Sequence, residues 1–330
     1  MTSPDTQSWM AREIAEIPEA AARLTGADAQ ASLQALAGTL RAAEPTSISL
    51  IAHGSSRHAG AVIGHALWRC LGLPVALEPL APGGLPEAVA SGRPRAVLGI
   101  SQSGQSPDLS AAMAAARGMG ALTLAVTNTP GSPLAEAAAH GLDMAAGPEQ
   151  AVAATKSFVN SALAGLWLVA HWADDAALAD ALTRAPEALR MGTGVDPALE
   201  AVLCDSAGLF VLGRAAAAGV AAEIALKAME LCGRHATAYS EAEVLHGPAA
   251  IAVEGFGVIG LVQPEGGAVL DRLAQQGARC YRVPEAPLLH PLVDPLIQLP
   301  PVYRALEAAT RRLGRNPDRP QFLAKVTRTH

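Results

Sequence analysis

Two stretches of this sequence carry side chains able to do chemistry. In Val97-Leu-Gly-Ile-Ser-Gln-Ser-Gly-Gln-Ser106 an apolar run opens into hydroxyls and glycine. Residues 97–100 are predicted to form a buried strand, and a helix is predicted from about Pro107 through the alanine-rich residues 111–116. Ser101, Ser103 and Ser106 would supply short donors between them, while Gly104 lets the backbone approach a ligand closely. A strand end feeding a helix N-terminus presents unpaired N–H groups and the positive end of a dipole, which suits a phosphate. Serines at that junction equally suit plain helix capping. The residues alone leave both readings open.

In the second stretch, residues 215–231 form a predicted helix whose body carries Glu223, Lys227 and Glu230 as its only charges. Their i, i+4, i+7 spacing puts all of them on one face. A carboxylate beside an ammonium suits proton transfer with charge stabilisation, whereas a solvated face with one ion pair would contribute only about 0.3 kcal/mol. Further on, His246 precedes Gly247-Pro248 in a predicted turn, where an imidazole titrating near neutrality can face a cleft. It is one of 9 histidines, so an incidental role is equally open. Lys325, in Pro320-Gln-Phe-Leu-Ala-Lys325, offers one more amine, although a tail lysine is usually solvated.

The elements that must position these groups alternate along the chain. Residues 6–24 read as a helix interrupted at Pro18, and 29–43 as a second helix. Strands are predicted at 47–52, 75–77, 96–100 and 122–127, with Gly54-Ser-Ser56 as a turn and a helix over 59–71. The order returns with a strand and turn over 208–214, a strand at 235–240, an echo of the 97–104 strand and turn at 258–267 and a last strand at 278–283, at an offset of about 160 residues. Helices alternating with short apolar strands predict an α/β fold with parallel sheets covered on both faces, one domain having been duplicated. The second copy carries Gln263-Pro264-Glu265 where the first has its serines, and a glutamate there would repel an anion. Residues 174–198, with Pro186 and Gly192-Thr-Gly194, are the predicted connector.

Composition narrows the partners. With 330 residues, 50% of them hydrophobic and only 3% aromatic, the chain can bury a core built mostly of Ala, Leu and Val. A formal net charge of −6 argues against nucleic acid as the main partner, yet helix N-termini and a few lysines can still hold an anion locally. The longest apolar run, residues 163–172, is broken by Gly165 and His171, so no membrane span is expected. The N-terminus lacks the order of a secretory signal. Cys70, Cys204, Cys232 and Cys280 are scattered, which favours reduced thiols in a cytoplasmic protein over disulfides or a metal site. No G-x-G-x-x-G follows the first strand, which disfavours a nicotinamide dehydrogenase.

Taken in order, Ala52-His-Gly-Ser-Ser56, Ile100-Ser-Gln-Ser-Gly-Gln-Ser106, Thr155-Lys156, Glu223-x-x-x-Lys227-x-x-Glu230, His246-Gly-Pro248 and Leu323-Ala-Lys325 resemble the double sugar-isomerase (SIS) domain family. The likeness is to the isomerase half of glucosamine-6-phosphate synthase and its stand-alone relatives, from about residue 45 onward. It implies two tandem SIS domains, each a five-stranded parallel sheet flanked by helices. The boundaries expected are N-terminal helices over 1–44, SIS domains at 45–173 and 199–313, a linker at 174–198 and a tail at 314–330 lying over the active site.

The resemblance also implies roles. Ser101, Gln102, Ser103 and Ser106, with Gly54, Ser55 and Ser56, would hold the sugar phosphate. Val152 and Ala153, in the segment that runs to Thr155, would meet the sugar through their backbone. Glu230 would move a proton between C1 and C2, Lys227 would stabilise the enediol-like charge, and His246 would open the ring from the partner subunit of a homodimer. Lys325 would act on the open-chain ketose. Neither a metal nor an organic cofactor is implied.

Two departures bear on the substrate. No glutamine-hydrolysing domain with its N-terminal cysteine is expected in these residues, His53 stands where the synthase has a cysteine, and Ala154 replaces a serine. The layout implied is that of the type II glucosamine-6-phosphate deaminases, which give fructose 6-phosphate and ammonia. Galactosamine 6-phosphate and a fructoselysine-type 6-phosphate are the alternative substrates. A non-catalytic sugar-phosphate-binding regulator is the alternative class, and it predicts an output domain and degraded catalytic positions.

Overall fold

The computed structural model describes residues 7–78, 95–190, 194–261, 267–285 and 287–325. Gln263-Pro264-Glu265, the glycine turn at 192–193 and the tail past Lys325 lie outside them. The N-terminal helices are α1 (Trp9–Ala15), α2 (Ile17–Arg23) and α3 (Ala27–Ala43). Pro18 separates α1 from α2 as expected, because it sits in the first turn of α2, where a missing N–H costs nothing. Then come β1 (Ser47–Ala52), α4 (Gly54–Leu71), β2 (Val75–Leu77), β3 (Arg95–Ser101), α5 (Pro107–Gly118), β4 (Leu122–Thr127), α6 (Pro133–Ala137) and β5 (His140–Asp143). Two helices follow, α7 (Lys156–Ala173) and α8 (Ala176–Ala188).

The second half holds α9 (Pro197–Asp205), β6 (Gly208–Leu212), α10 (Ala216–Lys227), β7 (His235–Tyr239), α11 (Glu241–Val244), β8 (Gly257–Gly260), α12 (Ala268–Gln275), β9 (Arg279–Arg282), α13 (Asp294–Ile297) and α14 (Leu299–Arg312). No helix among the described residues is long and apolar enough to cross a membrane. The described residues divide into two compact units. One comprises 19–147 and 157–186, the other 7–18, 148–156 and 187–325.

The first unit is built on an all-parallel sheet of order β2-β1-β3-β4-β5. β3 is central because it is apolar from Ala96 to Ile100, with Val97 and Ile100 fully buried. Leu109, Ala112, Met113 and Ala116 of α5 pack with Ile51, Val97 and Ala125 in one core cluster. Each leucine, isoleucine, valine or methionine among them contributes roughly 1.5–3 kcal/mol by burial, and each alanine less. The register Ala52↔Ile100 and Ser101↔Thr127 brings the C-terminal ends of β1, β3 and β4 level, the usual ligand edge of a parallel sheet.

The second unit carries a parallel sheet of order β7-β6-β8-β9. It has four strands among the described residues, not the five expected. Its core cluster joins Phe210, Leu212 and Val258 to Leu270 and Leu273 of α12. In both units the strand-to-helix junction passes through a left-handed residue, Gly54 at φ 51° before α4 and Ala215 at φ 55° before α10. Residues 176–188 of the expected connector are helical: they form α8, with Pro186 inside it.

Candidate functional site

In the first unit, the hydroxyl turn joins β3 to α5. Ser101 is buried at the end of β3, and its Oγ accepts the Gly104 N–H at 3.1 Å. Ser103 Oγ accepts from the Gln105 N–H at 3.3 Å. Gly104 adopts φ 62°, and a Cβ there would lie 2.0 Å from Ser132 Oγ, so only glycine fits the bend. Ser106 occupies the N-cap of α5 but makes no side-chain cap hydrogen bond, and neither does His53 at the N-cap of α4. The capping alternative is therefore not realised at Ser106.

Gly54, Ser55 and Ser56, expected as a free turn, are instead the first helical residues of α4. Neither helix N-terminus is capped by its own N-cap side chain, although in α5 Pro107 carries no N–H and the Leu109 N–H is taken by Asp108 Oδ1 at 2.9 Å. His53 Nε2 meets Asp108 Oδ2 at 2.6 Å and ties the β1–α4 junction to the first turn of α5. Gln102 lies half-buried within the same turn.

In the second unit, α10 does not continue as an α-helix. It passes into a π-turn over Ala228–Cys232, closed by Gly233 at φ 64°. Such a bulge re-aims side chains and often accompanies a functional site. Lys227 Nζ lies 2.6 Å from Glu230 Oε2 and 3.4 Å from Glu223 Oε1. The side chains of Lys227 and Glu223 are 1% and 0% exposed, whereas that of Glu230 is 20% exposed. The solvated-face alternative fails here, and of the two carboxylates only Glu230 is open at all.

Burial alone would pull the Lys227 ammonium down. The charges of Glu223 and Glu230, the Glu230 hydrogen bond and the charge of Glu149 outweigh it, leaving the group above its ordinary value and protonated. Tyr303 of α14, fully buried, reaches Glu223 Oε1 at 3.5 Å. Desolvation, then Glu223 and Glu149, push its phenol well above the usual range, so it stays a neutral donor. Burial raises the Cys232 thiol at the end of the π-turn to about 11, which makes it a packing group and not a nucleophile.

The segment before α7 supplies the rest of this unit's cluster. Glu149 is buried, accepting the Thr155 N–H at 3.0 Å and the Lys325 ammonium at 3.0 Å. Lys325 also donates to the Ala151 carbonyl at 2.6 Å, so this tail lysine is held and not merely solvated. Val152 donates its N–H to the Asp318 carbonyl at 3.0 Å. Ala153 is buried beside it, and Thr155 Oγ1 is buried with no hydrogen-bond partner among the described residues. Lys156 is buried against Glu16.

His246 is exposed in the turn between α11 and the 3-10 turn Pro248–Ile251, outside the hydrogen-bonded set around Lys227. Glu149 and Tyr303 were missed in the sequence. Glu149 sits in a loop without periodicity, and Tyr303 reads as one more apolar position of an amphipathic helix.

One parallel α/β unit thus carries a hydroxyl turn at the C-terminal edge of its sheet, and the other a buried set of carboxylates, ammoniums and a phenol. The chain belongs to the SIS domain family, whose pattern matches residues 42–171, and has the phosphosugar isomerase fold. A candidate phosphosugar isomerase from Silicibacter pomeroyi is 38% identical, with a TM-score of 0.84 over 94% of this chain and 100% of that one.

The isomerising glutamine–fructose-6-phosphate aminotransferase of Symbiobacterium thermophilum is 34% identical over 96% of this chain. The chain spans 58% of that protein's length. The glucosamine-6-phosphate deaminase of Thermotoga maritima shares the fold at a TM-score of 0.74 and 19% identity, over 98% of this chain and 100% of that one.

Proposed function

We propose that the chain is an amino-sugar-phosphate deaminase and aldose–ketose isomerase, converting glucosamine 6-phosphate and water to fructose 6-phosphate and ammonia. The hydroxyl turn with Ser101, Gln102, Ser103 and Ser106, and the start of α4 with Gly54, Ser55 and Ser56, hold the phosphate. His246 protonates the ring oxygen to open the sugar. Glu230 takes the proton from C2 of the open aldose and returns it to C1. Lys227 stabilises the negative charge that develops on the C1 oxygen. The C2 imine left behind is hydrolysed by water, which becomes the ketone oxygen as ammonia departs. Val152, Ala153 and Thr155 orient the open chain, and Lys325 attends the C2 carbonyl of the ketose.

The observation that carries this is the asymmetry around Lys227: one sealed carboxylate, Glu223, fixes the ammonium, and one partly open carboxylate, Glu230, is free to exchange a proton. A relative named as an isomerising aminotransferase of fructose 6-phosphate supports chemistry on this class of sugar. We further read the two units as tandem SIS domains. We read the exposed His246, flanked by exposed Leu245, Ile251 and Val253, as the face that a second copy covers in a cytoplasmic homodimer.

The test is ammonia release from glucosamine 6-phosphate, with galactosamine 6-phosphate and fructoselysine 6-phosphate alongside. Glu230→Gln should abolish turnover while sugar-phosphate binding by calorimetry stays within about threefold, as expected for a group acting in the transition state. Wild-type turnover by that variant would remove Glu230 from the chemistry.

A further inference from the structure

Among the buried carboxylates that the proposed chemistry leaves unused is Glu13, on α1. Its residue is only 2% exposed, although a lone glutamate on a short N-terminal helix would ordinarily face water. Its Oε1 accepts the Gln150 N–H, and its Oε2 accepts the Ala151 N–H at 3.3 Å. Those two residues follow Glu149 directly, and Ala151 turns its carbonyl to Lys325. Asp318 ties the same segments from the other side. Its carboxylate takes the Trp9 and Met10 N–H groups at 3.0 and 2.9 Å, and its carbonyl takes the Val152 N–H. Glu16, at the end of α1, pairs with Lys156. α1, residues 149–156 and the tail to Lys325 are therefore one hydrogen-bonded assembly, although far apart in sequence.

We infer that α1 belongs to the active-site machinery and that Glu13 is a positioning residue. It shapes the 149–151 turn so that the Glu149 carboxylate and the Ala151 carbonyl together hold the Lys325 amine. A carboxylate is required there because both backbone groups are donors. A glutamine amide offers a single acceptor and would turn its NH2 toward one of the N–H groups. Losing that acceptor leaves a buried backbone donor without a partner, and the turn must move to satisfy it. The inference rests on the proposed reaction only in giving Lys325 a catalytic task; its placement by Glu13 is a separate matter.

The experiment uses the fact that Lys156, Lys227 and Lys325 are the chain's only lysines and that the first two are 1% exposed. Acetylation by limiting acetic anhydride, followed by mass spectrometry of the proteolytic peptide that contains Lys325, therefore reports the restraint of that amine separately from the α-amino group and without any substrate. Glu13→Gln should raise the Lys325 labelling rate roughly tenfold, the factor expected when one charge-assisted hydrogen bond is loosened. In the same variant kcat should fall on the order of 10²-fold, with KM within about twofold, as expected for a misplaced reacting group.

If Glu13→Gln does not fold, Glu13→Asp carries the comparison, because it keeps the charge but is one methylene short of bridging both N–H groups. A folded variant whose Lys325 labels at the wild-type rate, or labels faster with kcat unchanged, overturns the inference. A wild-type protein that labels slowly but releases no ammonia from any sugar phosphate would instead refute the proposed reaction.

Discussion

Lys227 is the group whose removal should be most costly, and the loss can be worked from its surroundings. Its ammonium lies between Glu230 and Glu223, and the Glu223 side chain is fully buried. Lys227→Met keeps most of the stem but removes the ammonium that lies 3.4 Å from the Glu223 carboxylate. The Tyr303 hydroxyl at 3.5 Å is too distant to replace it. An uncompensated buried charge costs about 3–5 kcal/mol. Against a total stability of about 5–15 kcal/mol, that is roughly a fifth or more of what holds such a domain together.

The single variant Glu223→Gln should cost about 1–2 kcal/mol, since Lys227 retains Glu230. The double variant Lys227→Met/Glu223→Gln removes charge and counter-charge together and should recover at least about 2 kcal/mol over Lys227→Met alone. Urea unfolding at pH 7 measures this, with ammonia release as the second readout. Stability should return in the double variant and turnover should not, because the charge stabiliser stays absent. A Lys227→Met protein within about 1 kcal/mol of wild type, or a double variant equal to the sum of the singles, would refute the electrostatic account.

Two further outcomes test the remaining parts. Gly104→Ala combines φ 62° with a Cβ 2.0 Å from Ser132 Oγ, so it should lose roughly 1–3 kcal/mol and weaken inorganic phosphate binding by calorimetry. Unchanged stability and phosphate affinity would count against the turn as the anion seat. Burial, aided by the charge of Glu149 and opposed by the backbone donors and Lys156, raises the Glu13 carboxyl from 4.5 to about 7. Between those values the folded chain keeps a proton that the unfolded chain has released, so this group's contribution to stability falls as pH rises. The fall amounts to about 3 kcal/mol across the window and levels off above it. Thermal unfolding from pH 4.5 to 8 should show a flatter decline in Glu13→Gln than in wild type, and parallel curves would contradict the shift.

Much of the sheet framework was legible because the chain writes it in period and punctuation. Leu122–Thr127 is an observed strand with the bounds predicted, and Ser47–Ala52 likewise, since each is a short apolar run between turn residues. β5 was missed because His140-Gly-Leu-Asp143 has one apolar side chain and is held by register to β4 instead of by pattern. The helical part of the expected connector was hidden by Pro186, which sits within α8. The π-turn left no trace either. A period of 3.6 already places Glu223, Lys227 and Glu230 on one face, so the spacing could not separate a regular helix from one that bulges at Ala228.

Local pattern specifies elements, whereas the chemistry depends on groups brought together from distant segments, and the lysines make this concrete. The chain has only Lys156, Lys227 and Lys325, and its other basic side chains are arginines and histidines. Each lysine meets a glutamate: Glu16 for Lys156, Glu223 and Glu230 for Lys227, Glu149 for Lys325. Arginine cannot give up its proton, whereas the basicity of lysine follows its surroundings. On the surface that difference matters little, and the chain uses arginine there, as in the pairs Arg184–Asp180 and Arg190–Glu187. At Lys227, where the charges of Glu223 and Glu230 outweigh burial, the cation is a lysine. The cluster is thus marked by which cation the sequence chooses, a signal that composition discards when it sums lysine with arginine.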